Sequence, residues 1–262
     1  MTIDLFVTDI DGTLLRPDRT IDKPRLNRLI DQLHRQGKRF AIASANHLGH
    51  VEVVLEGVNG VDAIIAENGA QIQVAGQLIH TQPLPQAAVE AVLAAPALAQ
   101  VEVVFLSGQN GTYIENRHAP LNDYFVDNEV AVDDLAAVSD DLYKIDLRVA
   151  PRNCAAIAEA MRQAVGHTAE VVVSDDDSID IMALGVDKGE GVRALAAHFD
   201  LPLEAVAAFG DNENDLPMLS IVGAGYAMKN AGAAIQAKAP RVTALSNADS
   251  GVLATIEALI SE

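Results

Sequence analysis

An apolar run at residues 3–7 leads straight into two aspartates and a glycine, in the stretch Val7-Thr8-Asp9-Ile10-Asp11-Gly12-Thr13-Leu14-Leu15. A strand that runs into a core has no ordinary use for carboxylates at its end. A buried, unpaired charge is costly or neutralises itself. The chain must therefore fold so that something compensates Asp9 and Asp11 at that point. The carboxyl ends of parallel strands in open α/β sheets are such places, because ligands gather there.

The rest of the sequence carries that rhythm. Residues 24–36 place Leu26, Leu29, Ile30 and Leu33 at helical spacing, and Gly37 stops the helix. Residues 39–43 read as a strand, 48–55 as a helix and 63–66 as a short strand, before Asn68-Gly69-Ala70 turns the chain. From about Pro83 the texture changes. Apolar alternations at 101–106 and 112–115 flank Gly108 and Asn110-Gly111, a hairpin signal. A strand at 142–149 and a helix at 151–165 follow, and then 170–174 pairs with 178–182 across the turn Asp175-Asp176-Asp177. After Leu184 the first rhythm returns, with a helix at 188–198, a strand at 206–209, a helix from Leu216 and a closing helix after Gly251. The predicted fold is α/β: a Rossmann-like parallel-sheet core built from 1–82 and 185–262, with an α+β module inserted at 83–184. A length of 262 residues suits one large domain with a smaller companion.

Composition narrows the partners. A formal charge of −19 repels nucleic-acid phosphates and anionic membranes, so neither is an expected partner, and an anionic substrate needs local cations or a metal. No stretch approaches the ~20 apolar residues of a membrane span. Asp4, Asp9 and Asp11 interrupt any cleavable leader, and the single cysteine, Cys154, reads as packing at a helix start in a reducing compartment. A cytoplasmic monomer is expected.

Four predicted strand ends present polar groups: Asp9 to Thr13, Ser44, the neighbourhood of Lys188, and Gly210-Asp211-Asn212-Glu213-Asn214-Asp215. Carboxylates at Asp9, Asp211 and Asp215 suit a hard, oxygen-liking cation such as Mg²⁺. An aspartate ionised beside a metal and a lysine can also attack phosphorus, while a second carboxyl moves the proton. Ser44 and Lys188 would then hold phosphoryl oxygens. Each signal also has a plainer reading. Ser44 serves equally as a helix cap, Lys188 as a surface lysine, and 211–215 as an acidic cap. However, a lysine at a helix N-terminus opposes the macrodipole, so it invites an anionic partner.

Taken in order, these segments resemble the haloacid dehalogenase-like hydrolase superfamily, and within it the Cof-type phosphatases, over essentially the whole chain. Asp9-Ile10-Asp11-Gly12-Thr13-Leu14 is similar to the first motif, DxDGTL; Ser44 falls at the second motif's hydroxyl, Lys188 at the third motif's lysine, and residues 210–215 at the fourth motif's GDxxND. The resemblance implies that Asp9 is the nucleophile and Asp11 the general acid and base, with Lys188 beside them. It implies that Asp9, the Asp11 carbonyl and Asp211 hold Mg²⁺ with Asp215 in support. It further implies that Ser44, Lys188 and Asn214 bind the phosphoryl group, inside a loop shaped by Gly12 and Thr13. The insertion at 83–184 resembles a C2B-type cap. Where relatives usually read Thr-Gly-Arg, this chain has Ser44-Ala45-Asn46 and then His47, so the charge near the phosphate is expected to be lower, with His47 a candidate replacement.

The implied activity is a Mg²⁺-dependent phosphomonoesterase that acts on small phosphorylated metabolites, sugar phosphates first, through an aspartyl-phosphate on Asp9. The alternatives are a phosphotransferase or mutase using the same intermediate, and a catalytically silent phosphosugar-binding protein. Tyr113, Asn116, Arg117 and His118 form a polar cluster after the first hairpin of the insertion and are candidate substrate contacts, with a solvated loop as their plainer reading.

Overall fold

The computed structural model describes residues 2–119 and 128–261; residues 120–127, within the expected insertion, lie outside them. In chain order the first elements are β1 (Leu5–Thr8), α1 (Lys23–Arg35), β2 (Arg39–Ala43), α2 (Leu48–Val54), β3 (Ala63–Ala66), β4 (Gln71–Val74) and β5 (Gln77–Thr81). Next come α3 (Gln86–Leu93), β6 (Val103–Gly108), β7 (Thr112–Glu115), β8 (Glu129–Val132), β9 (Leu142–Arg148), α4 (Cys154–Val165), β10 (Ala169–Asp175) and β11 (Ser178–Ala183). The chain ends with α5 (Lys188–His198), β12 (Val206–Gly210), α6 (Leu216–Ile221), β13 (Ala224–Ala227), α7 (Ala233–Lys238), β14 (Arg241–Val242) and α8 (Gly251–Ser261).

These elements divide into two compact units, one of residues 1–81 and 187–262 and one of residues 82–186. The first is built on an eight-stranded sheet in the order β14-β13-β12-β1-β2-β3-β4-β5. Its strands from β14 to β3 run parallel, while β4 and β5 continue the sheet antiparallel. All four residues of β1 are buried, and so are those of β3 and the five of β12. A parallel strand is covered on both faces, which is why these segments are nearly continuous apolar runs without alternation. The β4 and β5 strands were not visible in the sequence pattern, because glutamines interrupt the apolar residues of Gln71-Ile-Gln-Val, which lies between β3 and β5, and Gln77-Leu-Ile-His-Thr is an exposed edge.

Helix α1 illustrates the local logic. The Asp22 side chain accepts the Arg25 N–H at 3.1 Å, Pro24 occupies the first turn, and Leu26, Leu29, Ile30 and Leu33 form one buried stripe. Gly37 follows at φ +72°, a left-handed backbone that favours glycine and ends the helix.

Order in the sheet sets the site. From β1 the chain moves outward through β2 and β3, and later from β12 through β13 and β14 on the other side. The β1/β12 junction is therefore the topological switch point, where loops leave in opposite directions and open a crevice.

The second unit is a six-stranded sheet in the order β10-β11-β9-β6-β7-β8, antiparallel except for the parallel pair β7/β8. Helices α3 and α4 cover one face through Ala88, Val89, Val92, Ile157, Ala158 and Met161, packed with Ile145, Leu147, Ile179 and Ile181. Cys154 is buried in that same cluster, and burial pushes its thiol up. Asp176 and Asp177 form the turn between β10 and β11.

Candidate active site

β1 and β12 end side by side, with Thr8 opposite Phe209 in register. The Asp9 N–H donates to the Phe209 carbonyl at 3.0 Å, so the ladder carries one residue past the strand and fixes the first aspartate at the crevice. The chain then makes a wide turn that closes when the Leu15 N–H reaches the Ile10 carbonyl at 2.9 Å. Gly12 sits in that turn at φ +76°, and a Cβ there would run into the Asp211 carboxylate. Only glycine meets both demands.

Beneath the turn lies a charged group sealed from water. Lys188 is 1 % exposed, Asp215 0 % and Asp9 6 %. The Lys188 ammonium donates to Asp9 Oδ1 at 2.7 Å and to Asp215 Oδ1 at 2.6 Å. Lys188 opens α5, where the Asp187 side chain accepts the Glu190 N–H at 2.9 Å. A cation in that first turn is unfavourable for the helix, and the two carboxylates offset it. The second oxygen of Asp215 accepts the backbone N–H groups of Asp211 at 2.8 Å and Asn212 at 3.0 Å. Asp215 thereby shapes the loop after β12 and holds the lysine at once.

Asp211 takes a hydrogen bond from Thr13 Oγ1 at 2.9 Å. Asp9, Asp211 and Asp215 each offer a carboxylate oxygen, all within 4.8 Å of one another. Three acids thus face one ammonium. Burial, joined by the charges of Asp215 and Asp211, pushes the Asp9 carboxyl up to about 8 against the pull of Lys188. Burial likewise pushes Asp211 up to about 6; the Thr13 hydrogen bond opposes that rise and the Asp215 charge adds to it. For Lys188, burial acts to lower the pKa, but Asp215 and Asp9 together hold it above the usual lysine range. The cluster is short of positive charge, and an oxygen-rich set of acids in which Asp211 alone stays partly exposed is the chemistry of a site for a hard divalent cation.

The remaining predicted residues lie around this group in the first unit. Ser44 is buried at the end of β2, and its Oγ accepts the Asn46 N–H at 3.1 Å. Asn214 donates to Asn68 Oδ1 at 3.1 Å, next to the turn after β3. Asp11 is exposed, on the solvent side of the turn. Asn46 Nδ2 donates to Asp11 Oδ2 at 2.8 Å, and Arg19 Nη2 lies 3.9 Å from Oδ1. His47 Nδ1 accepts the Gly49 N–H at 3.0 Å and caps α2, so its ring is engaged in a helix start.

Sequence reasoning passed over two asparagines. Asn230 Nδ2 donates to the Gly12 carbonyl at 2.7 Å, and Asn247 Nδ2 donates to the Leu15 carbonyl at 2.8 Å. The two are joined by the Asn247 N–H to Asn230 Oδ1 at 2.9 Å. Asn230 lies three residues past β13, and Ala224-Gly225-Tyr226-Ala227 does not stand out as a strand in the sequence, so no strand end pointed to it.

The candidate substrate contacts belong to the second unit, each engaged by a local acid. Tyr113 donates to Asp140 at 2.9 Å, and burial pushes its hydroxyl up to about 12. Asn116 donates to Asp133, Arg117 Nε to Glu115 at 2.8 Å, and His118 Nε2 stands 3.9 Å from Glu115.

Comparison with known proteins finds similarity along nearly the whole chain. The family model for haloacid dehalogenase-like hydrolases matches residues 6–256. The 5-amino-6-(5-phospho-D-ribitylamino)uracil phosphatase YbjI of Escherichia coli is 29 % identical over 99 % of this chain and 97 % of its own length. The HMP-PP phosphatase of Escherichia fergusonii is 27 % identical over 91 % of this chain and 89 % of its own. Among solved structures, SMU.1108c from Streptococcus mutans shares the fold at a TM-score of 0.88 with 24 % identity, each chain covered completely.

Proposed function

The chain belongs to the haloacid dehalogenase-like hydrolase family, and from that membership we propose that it is a Mg²⁺-dependent phosphomonoesterase acting through Asp9. Its full-length relatives are phosphatases of small phosphorylated metabolites. The observation that carries the reading is the Lys188 ammonium shared by Asp9 and Asp215, with Asp211 in reach, at the switch point of the sheet.

In the first displacement an Asp9 carboxylate oxygen attacks phosphorus and the bond from phosphorus to the substrate's ester oxygen breaks. Asp11 gives its proton to that leaving oxygen. In the second, Asp11 takes a proton from water, the water oxygen attacks phosphorus, and the bond to Asp9 breaks, which releases inorganic phosphate. Lys188 holds Asp9 in place and offers charge to the phosphoryl oxygens, while Ser44 and Asn214 orient them and Gly12 and Thr13 shape the loop. The Asp9 and Asp211 carboxylates and the Asp11 carbonyl would hold Mg²⁺. Asp215 supports them from behind, since both its oxygens already accept hydrogen bonds. When bound, the ion supplies positive charge beside the transferring phosphoryl group. Most of the rate then comes from positioning and charge, as phosphoryl transfer requires.

The residue 82–186 unit takes the part of a cap that selects the leaving group, and a phosphorylated sugar or sugar alcohol is the substrate class first in line. To read such a group, Tyr113, Asn116, Arg117 and His118 have to share or exchange the carboxylates that hold them.

The test is phosphate release from sugar phosphates, nucleotides and p-nitrophenyl phosphate, with Mg²⁺ and with EDTA, beside a folded Asp9→Asn control. Metal-dependent release that falls about 10³-fold or more in the control is expected. Equal release by Asp9→Asn removes the nucleophile, release undiminished in EDTA removes the metal, and transfer to an added alcohol at the expense of phosphate makes the enzyme a transferase.

A further inference from the structure

We propose that Asn46 is a positioning residue for the proton-transferring carboxyl of Asp11, an inference that rests on the phosphatase reading above. Asp11 stands on the exposed side of the turn after β1, with no burial to hold its side chain. Among the described residues, two groups meet its oxygens. Arg19 is 3.9 Å from Oδ1 with both partners about half exposed, a distance and setting in which an ion pair does little to fix geometry. Asn46 Nδ2 donates to Oδ2 at 2.8 Å, a full hydrogen bond. The ionised form of Asp11 only accepts, so the amide turns its nitrogen towards Oδ2, and in the acid form that same bond leaves Oδ1 to carry the proton.

Asn46 is itself anchored. Its N–H donates to Ser44 Oγ at 3.1 Å, and its carbonyl accepts the Glu67 N–H at 3.1 Å. A residue tied at both backbone ends to the positions that directly follow β2 and β3 thus holds a side chain that, among the described residues, nothing on its own turn holds. The contact also couples the two halves of the chemistry: the same short loop carries Ser44, proposed to hold the phosphoryl group, and the donor that aims Asp11 at the leaving oxygen. A proton transferred in the transition state needs the acid at hydrogen-bonding distance from the ester oxygen, so a carboxyl free to rotate into water is a weaker acid catalyst.

The experiment separates aim from fold by leaving group. The quantity kcat/KM covers the steps up to departure of the alcohol. Glucose 6-phosphate leaves as a poor alkoxide that needs the proton, and p-nitrophenyl phosphate as a stable phenolate that does not. Wild type, Asp11→Asn, Asn46→Ala and Asn46→Gln are compared on both substrates, with thermal midpoints recorded for each. Asn46→Ala is expected to lower kcat/KM for the sugar phosphate by about 10- to 100-fold and for the aryl phosphate by no more than about 3-fold, echoing a larger effect of the same kind in Asp11→Asn. Asn46→Gln, which keeps the donor, recovers part of the loss. A loss in Asn46→Ala that is equal on both substrates marks a loop staple and overturns the proposal, as does no loss at all. If Asp11→Asn shows the leaving-group pattern and Asn46→Ala does not, the phosphatase reading stands and this inference alone fails. Wild type that releases phosphate from neither compound, nor from any other sugar phosphate or nucleotide of the panel above, removes the phosphatase reading and the inference together.

Discussion

The two units handle charge in opposite ways. In the first, an ammonium and two carboxylates are sealed under the crevice, Lys188 and Asp215 at or below 1 % exposure. In the second, the ion pairs Arg117 with Glu115 and Arg162 with Glu159 each keep one partner more than half exposed, at 73 % and 61 %. Water solvates and screens the latter, so each pair is close to independent of its neighbours. The buried group has no such freedom, because the state of each member sets the electrostatic cost of the others. The difference teaches where chemistry can be built: charges that must respond to one another are held where water does not compete for them.

The largest expected effect tests that contrast directly. Lys188→Ala leaves Asp9 and Asp215 buried against each other, and breaking such a pair costs about 3–5 kcal/mol. Arg117→Ala removes an exposed cation from Glu115 and is expected to cost less than about 1 kcal/mol. Urea unfolding of both variants, read as the midpoint at unchanged slope, gives the comparison. Equal costs would break the argument, since the burial of the lysine would then carry no energetic weight.

A somewhat smaller effect asks whether the units stand on separate cores. Ile145 is fully buried in β9, among the side chains that α3 and α4 cover. Ile145→Ala removes three carbons from that cluster at a cost of about 2–5 kcal/mol. Hydrogen exchange is expected to show β6, β9 and β11 losing protection while β1 and β12 keep theirs. Equal loss in all five strands would make the chain one cooperative body.

The same contrast explains what the sequence made legible. Asp9, Asp11, Ser44, Lys188 and Asp211 stand out because each interrupts an apolar strand or opens a helix against its dipole, and such local offences need a local reason. Of the parallel strands, β1, β2, β3 and β12 were visible for the same reason, as apolar runs with no polar face, whereas β13, with a glycine and a tyrosine among four residues, and the exposed two-residue β14 were not. Asn46, Asn230 and Asn247 offend nothing. An asparagine in a turn is ordinary, and its worth here comes from the Asp11 carboxyl or a main-chain carbonyl up to 232 positions away in sequence. The polar hairpin β4/β5 and the parallel pairing of β7 with β8 were hidden because their placement depends on neighbours across the sheet. In the second unit, Tyr113 and Asn116 read as candidate substrate contacts or a solvated loop, while the fold commits them to Asp140 and Asp133.

The smallest expected effect decides whether burial or membership of a unit governs the contrast. Arg25 on α1 grips Glu257 on α8 through Nε at 2.9 Å and Nη2 at 2.6 Å, within the first unit but at its surface, with Glu257 41 % exposed. The Arg25 hydrogen bonds hold the Glu257 carboxyl below its ordinary 4.5, with burial opposing them. A folded pKa below the unfolded one contributes stability above the unfolded value and loses it as pH falls through the folded value. The difference in unfolding free energy between wild type and Glu257→Gln is therefore expected to be below about 1 kcal/mol at pH 7 after solvent screening, and to close as pH drops below the ordinary glutamate range. If burial governs, this pair behaves like Arg117 with Glu115 despite sharing a unit with Lys188, and added salt shrinks it further. A difference that stays constant down to pH 3, or that rivals the cost of Lys188→Ala, would locate the distinction in the unit itself.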